Sequence, residues 1–166
     1  MATPTSLPAT FVAGNVLTAA QMNALRGAFR ILQVVRATDS TTRSTTSTSF
    51  VDASISVTIT PTSTDSDILL IWSANAVLGS PSSLRRGFVQ ITDSSNVAIE
   101  GAEITTLGVN TNVSNYAAFS LMAFDSPATT SATTYKGRFK SETSGTISLQ
   151  DSGASTGQMF ALEISA

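Results

Sequence analysis

Four acidic residues lie close enough in sequence to be read as catalytic pairs. Asp65 and Asp67 flank one residue, and Glu100 and Glu103 flank two. Paired carboxylates are the working parts of glycoside hydrolysis, one serving as acid and the other as base or nucleophile. Asp65 and Asp67 also suggest a weak Ca²⁺ site, although no EF-hand spacing surrounds them. The commoner meaning of both pairs is solvated loop chemistry, because acids at a strand start are ordinary turn residues. The remaining inventory is narrow. The chain has no histidine and no cysteine, which removes Ser-His triads, thiol nucleophiles and the usual zinc ligand sets. No glycine-rich phosphate loop is present. The expectation is a protein that is not an enzyme and uses no cofactor or metal.

Binding chemistry is better represented. Tyr135, Lys136, Arg138 and Lys140 bring an aromatic ring and a basic row together on one strand, a candidate contact for a host-surface glycan. The bland reading of such a row is a solubilising face. Trp72 and Tyr116 are further candidates for sugar stacking, but with one Trp, two Tyr and eight Phe, most rings are expected in the core or between subunits. Arg85-Arg86 could grip an acidic partner; the commoner role of adjacent arginines at a strand entry is to guard an exposed edge. A net charge of −2 supplies no basic field, so nucleic acid is not an expected partner. The N-terminus lacks the basic and apolar regions of a secretory signal. The longest apolar run, residues 68–78, is too short to span a bilayer, and no membrane partner is expected.

The elements that would carry these groups are mostly strands. Charged residues make up 12% of the chain and hydrophobic residues 42%, and 50 of its 166 residues are Ser or Thr. Such a composition describes a β-protein whose solvent face is built from hydroxyls, since β-branched Thr favours strands. Low charge leaves little electrostatic guard against association, so self-assembly is expected. Alternation is strict from Val51, with Ala53, Ile55, Val57 and Ile59 facing inward until Pro61 ends the run. Residues 68–77 are apolar on both faces, as in a strand covered on both sides. Further strands are expected at 31–35, 88–92, 97–100, 116–124, 134–141, 145–149 and 159–164. The hydroxyl tract 38–49 is expected to enter a strand in its later half. A turn at Asp151-Ser152-Gly153 is expected to join the last two strands. About eight short strands with turn chemistry between them predict an all-β antiparallel β-sandwich or jelly roll over residues 31–166.

The front of the chain is different. Pro4 and Pro8 favour an extended arm, yet Phe11, Val12, Val16 and Leu17 are too apolar for a free tail. The arm either folds over its own domain or docks on a neighbouring subunit. A short α-helix follows over about 19–29. Thr18 and Gln21 fit a capping box and Leu17 and Met22 a hydrophobic staple. Met22, Leu25 and Phe29 form one apolar stripe. A lone amphipathic helix cannot bury that stripe by itself, so residues 1–30 are expected to be a docking segment.

Two stretches resemble a known family. The run Phe11-Val12-Ala13-Gly14-Asn15-Val16-Leu17-Thr18-Ala19-Ala20-Gln21-Met22-Asn23-Ala24-Leu25 resembles the N-terminal segment of many tailed-bacteriophage virion proteins, typically tail fibres or minor tail proteins. Ile31-Leu32-Gln33-Val34-Val35, the run from Ser56 to Leu69, and Phe160-Ala161-Leu162-Glu163-Ile164 are similar to the small β-sandwich modules of phage fibre and head-decoration proteins. The resemblance implies a homotrimer in the virion, made in the host bacterial cytoplasm, with other tail or capsid proteins as partners. It supplies no catalytic residues. A tail fibre or minor tail protein is the leading expectation, a capsid decoration protein the alternative, a carbohydrate-binding module the reading from another class, and a carboxylate depolymerase the weakest.

Overall fold

In a computed structural model, the structure describes residues 16, 18, 19, 31–79, 85–109, 114–143, 145–150 and 155–165, with the backbone alone at 85 and 106–109. The expected docking residues Phe11, Val12, Leu17, Met22, Leu25 and Phe29 lie outside that set. So does the expected helix, except for Ala19, whose backbone is helical.

Ten strands follow one another: β1 (Ile31–Asp39), β2 (Arg43–Thr45), β3 (Val51–Ile59), β4 (Asp67–Leu78), β5 (Arg85–Thr92), β6 (Ala98–Val109), β7 (Asn115–Asp125), β8 (Thr133–Ser141), β9 (Ile147–Leu149) and β10 (Gly157–Ile164). They form two antiparallel sheets. In the first, β4 pairs along its whole length with β7 on one edge. On its other edge it meets β10 at residues 67–73 and β9 at residues 76–78. β1 then pairs with β10, and β2 with β9. The second sheet runs β3-β8-β5-β6. The pairings are therefore nested: β1 with β10, β3 with β8, β4 with β7 and β5 with β6. One long hairpin has folded over on itself, which is the topology of a jelly roll.

The expected all-β sandwich is the observed fold. The alternation in β3 buries Ala53, Ile55, Val57 and Ile59 against the other sheet. β4 supplies Ile68, Leu70, Trp72, Ala74, Ala76 and Leu78 to the same core, and β8 supplies Tyr135 and Phe139. Trp72 meets Phe119 edge-on at 5.1 Å, so two strands of one sheet are tied by rings under the opposite sheet.

Three local expectations change. The later half of the 38–49 tract enters a strand only at Ser44 and Thr45, within the three residues of β2, and β3 begins at Val51. Hydroxyl side chains there bond to nearby backbone, as Thr45 does with the Ser47 N–H, and compete with a ladder. The last two strands are not a hairpin. β9 and β10 run in the same direction along one edge of β4, as two halves of an interrupted strand. Finally, the strand that Arg85 and Arg86 open is not an edge: β5 pairs with β6 along its length and with β8 over Gly87–Thr92, and the Arg86 carbonyl accepts a bond from the Glu142 N–H.

Candidate functional site

The carboxylate pairs are dispersed into structural work. Asp67, the first residue of β4, accepts a hydrogen bond from the Ser126 hydroxyl. Asp65 sits one turn earlier, where its backbone N–H donates to Ser63 Oγ. Glu103 accepts a bond from Gln90 Nε2 at 3.1 Å on the second sheet. Glu100 instead lines an open cleft where β6 passes β7, together with Ile99, Phe124, Asp125 and Ser126. Among the described residues, no group of three or more His, Cys, Asp or Glu could hold a metal ion.

Two buried polar networks, which sequence reasoning missed, close one end of the sandwich. Glu163 is fully buried on the inward face of β10. It accepts bonds from Gln33 Nε2 at 2.6 Å and from the N–H and hydroxyl of Thr62 at 2.6 and 2.7 Å. Burial pushes its carboxyl up, but these donors, led by Gln33, more than reverse that and hold it below the usual carboxylate range. The second network is Tyr135, whose hydroxyl donates to Asp125 Oδ2 at 2.6 Å. Burial and the adjacent carboxylate push its phenol far above the ordinary tyrosine value. The only sequence signal for Glu163 was a charge at an inward position of an otherwise apolar strand.

The candidate glycan contact comes apart under this geometry. Tyr135 faces the core with no exposed surface, so it is corrected from a surface contact to a core residue. The period of two sends it opposite to its neighbours Lys136, Arg138 and Lys140. Those three lie on the outer face of β8, and each is occupied within the chain. Lys136 Nζ donates to Ser94 O at 2.8 Å, and Arg138 Nη2 to Phe50 O at 2.6 Å. The Lys140 ammonium sits 4.2 Å from the centroid of Phe50 and 5.0 Å from that of Phe88, a cation–π sandwich. Across the sheet, Asp52, Arg138, Gln90 and Glu103 fall in one row. The outer face of the second sheet is thus polar, with its three cations engaged within the chain, although Arg138 Nε is buried without a hydrogen-bond partner.

The outer face of the first sheet is its opposite. Register places Val34, Leu162, Leu69 and Phe124 in one row across β1, β10, β4 and β7, and Arg36, Phe160, Ile71 and Met122 in the next. Met122 is 63% exposed, Val34 55% and Phe124 50%, and Tyr116 further along β7 is 65% exposed. The guanidinium of Arg36 lies 5.8 Å over the Phe160 ring, so even the one charge in these rows rests on an apolar group. Beyond them the face turns to hydroxyls and amides, with Thr38, Gln158, Ser73 and Ser120 in line. Monomeric soluble proteins rarely leave a contiguous apolar surface of this kind, and such patches mark interaction sites. Residues 68–77 do form the two-faced strand expected; on its second face Leu69 and Ile71 are half-buried, Ser73 and Asn75 exposed, and Val77 buried. Val16, ahead of the domain, is 90% exposed.

No family model matches the sequence, and no curated protein does. Several solved structures resemble the fold. A mutant VP2 of infectious bursal disease virus in T=1 particles matches with a TM-score of 0.41 and 12% identity, over 98% of this chain and 41% of that one. A second structure of T=1 particles derived from that virus gives 0.37 and 14%, over 81% and 36%. Its Gx strain gives 0.41 and 13%, over 100% and 42%. The chain spans about two-fifths of the length of these proteins.

Proposed function

We propose that this chain is a non-enzymatic structural protein of a tailed-bacteriophage particle. It acts as a homotrimeric tail fibre or minor tail protein whose residues 1–30 dock on the particle while the jelly roll projects. The observation that carries the reading is the uncovered apolar face of the first sheet, which a solitary soluble domain would not keep. The resemblance of residues 11–25 to phage virion segments supports it, as does the exposure of Val16 ahead of the domain.

Deleting residues 1–30 tests the docking role. The shortened chain is expected to fold and self-associate yet be missing from purified particles; particles that still carry it refute the anchor. A capsid decoration protein is the second reading, favoured by the use of jelly rolls in viral shells. Copy number per particle, from quantitative mass spectrometry, separates the two: near that of the capsid subunits for decoration, near that of the tail for a fibre. A glycan-binding role is less supported, since Tyr135 is buried and the basic row is occupied.

A further inference from the structure

We infer that the outer face of the β1-β10-β4-β7 sheet, centred on Leu69, Ile71, Met122, Phe124, Phe160 and Leu162, is the surface through which copies of this chain pack together. This rests on the self-assembly proposed above and names the face that performs it. Three observations select a second copy as the occupant.

The first is charge. Arg36 is the one charge in the two apolar rows, and it lies over Phe160. A face with so little charge meets its own copy without like-charge repulsion. The polar second sheet, with Asp52, Glu103 and the three basic residues, would instead require several charges to be stripped of water in such a contact.

The second is extent. Four strand columns about 4.8 Å apart, of 9 residues in β1, 8 in β10, 12 in β4 and 11 in β7 at about 3.3 Å each, give a face of roughly 630 Å², inside the range of about 600–1,000 Å² per partner for standard interfaces. A standard interface takes about 800 Å² from each partner, with an apolar centre and a polar rim. Here the apolar rows are flanked by Thr38, Gln158, Ser73 and Ser120. The rival occupant is the helix expected over residues 19–29. Lying flat, it would cover about 16 Å by 10 Å, around 160 Å², and leave most of the face in water.

The third is position. Leu69 and Ile71 lie on β4, paired on both edges, and both are only half buried. Central-strand residues of that kind are apolar on both faces when both are covered.

The experiment uses the full chain. Its mass in solution is measured by light scattering and sedimentation over a range of concentrations, and its fold by circular dichroism. Met122→Glu and Phe124→Glu change exposed side chains, so the fold is expected to survive. Self-association is expected to weaken by about 30-fold or more for each, the scale of an interface hot spot. Ser56→Glu, on the exposed outer side of β3, and Leu25→Glu, in the expected helix, should leave it unchanged. The chain has no cysteine, so Met122→Cys adds a single thiol that a short bis-maleimide should link between copies, whereas Ser56→Cys should not cross-link. Unchanged association in both Glu variants overturns this assignment while leaving self-assembly intact. Dissociation by Leu25→Glu alone, with the Met122 and Phe124 variants unaffected, gives the contact to the N-terminal segment and also overturns it. A wild-type chain that stays monomeric at every concentration removes both this inference and the proposed trimer.

Discussion

Gly137 on β8 is the position where a single methyl group should reveal how tightly the two sheets are fitted. A Cβ placed there would lie 2.9 Å from Ile55 Cγ2 and 3.0 Å from Trp72 Cζ2 and Cη2. Carbon atoms in comfortable contact sit about 3.5–4.0 Å apart, so the neighbours must give way by at least half an ångström. Neither can do so easily. Trp72 is wholly buried and locked edge-on against Phe119, and Ile55 is buried on the facing β3. Overpacking of this kind costs about 1–3 kcal/mol. Removing a glycine from a strand interior returns about 0.5–1 kcal/mol through the unfolded chain. Gly137→Ala is therefore expected to destabilise the domain by about 1–2 kcal/mol, and to lower Tm by about 2–8 °C for a chain of this size.

The assay is guanidinium and thermal unfolding at one fixed protein concentration, because self-association would shift the midpoint by mass action. Trp72, the single tryptophan, reports on the site itself. The clash is separated from a general loss of fit by repeating Gly137→Ala in a Trp72→Phe background. Phenylalanine lacks the two ring atoms that collide, so the added cost of the methyl should fall by about 1 kcal/mol, a coupling of the size seen between touching residues. A Gly137→Ala protein as stable as the parent, or one that loses the same amount in both backgrounds, would refute the packing argument.

The Glu163 network predicts a specific acid limb. Its carboxyl is held below its ordinary value in the folded state, so its contribution is complete above about pH 4.5, the unfolded value, and is lost as pH falls through the folded one. In denaturation midpoints measured from pH 7 to 3, Glu163→Gln should flatten that decline and lower the pH 7 value by about 1–3 kcal/mol. Tyr135 works at the other extreme. Its phenol is raised, so stability should fall as pH climbs above about 10, where the unfolded phenol ionises and the folded one does not. Phenolate absorbance that emerges only on unfolding should vanish in Tyr135→Phe, and a phenol at position 135 that ionises in the folded protein counts against the buried bond to Asp125. By contrast, Arg86 and Glu142 meet at 3.4 Å with both side chains partly exposed, so Arg86→Ala should change stability by less than about 0.5 kcal/mol.

The sheet pattern was legible wherever one face was apolar and the other was not. β3 shows it best: Ala53-x-Ile55-x-Val57-x-Ile59 placed every inward residue correctly, and the same alternation in Tyr135-x-Gly137-x-Phe139 of β8 turns Tyr135 inward, against its grouping with the basic row. The 101–114 region resisted reading because β6 carries Gly101 at φ +74° and register shifts against β5, which break the alternation. The β9–β10 relation was hidden for another reason. A turn sequence specifies a reversal or an excursion equally well, and only the shared edge of β4 decides which. The glycan constellation failed because Tyr135 and Lys136 are adjacent in sequence and therefore on opposite faces. The apolar outer face could be seen in Met122 and Phe124, but its breadth depends on four strands drawn from both ends of the chain, and no local pattern reports that.

The two-faced strand poses a problem that the core must solve. Register is normally fixed because a one-residue slip would exchange the buried and exposed sets. Over Ile68-Leu69-Leu70-Ile71 that penalty nearly vanishes, since either set is aliphatic. The second half of β4 restores part of it: a slip would turn Ser73 and Asn75 inward and Trp72 outward. The rest comes from shape. Trp72 fills the space left by Gly137, whose missing side chain faces both the indole and Ile55. At the opening of the strand, the neighbouring inward residues Glu163 and Asp125, which pair with Ile68, hold bonds from Gln33, Thr62 and Tyr135 that a slip would break. An apolar outer face therefore requires that register be enforced from inside, by one ring against one glycine and by two hydrogen-bonded carboxylates, Glu163 buried and Asp125 half-buried. That requirement makes the Gly137–Trp72 contact a condition for presenting the outer face as well as a source of stability, and it predicts that Gly137→Ala should weaken self-association beyond what its loss of stability alone would give.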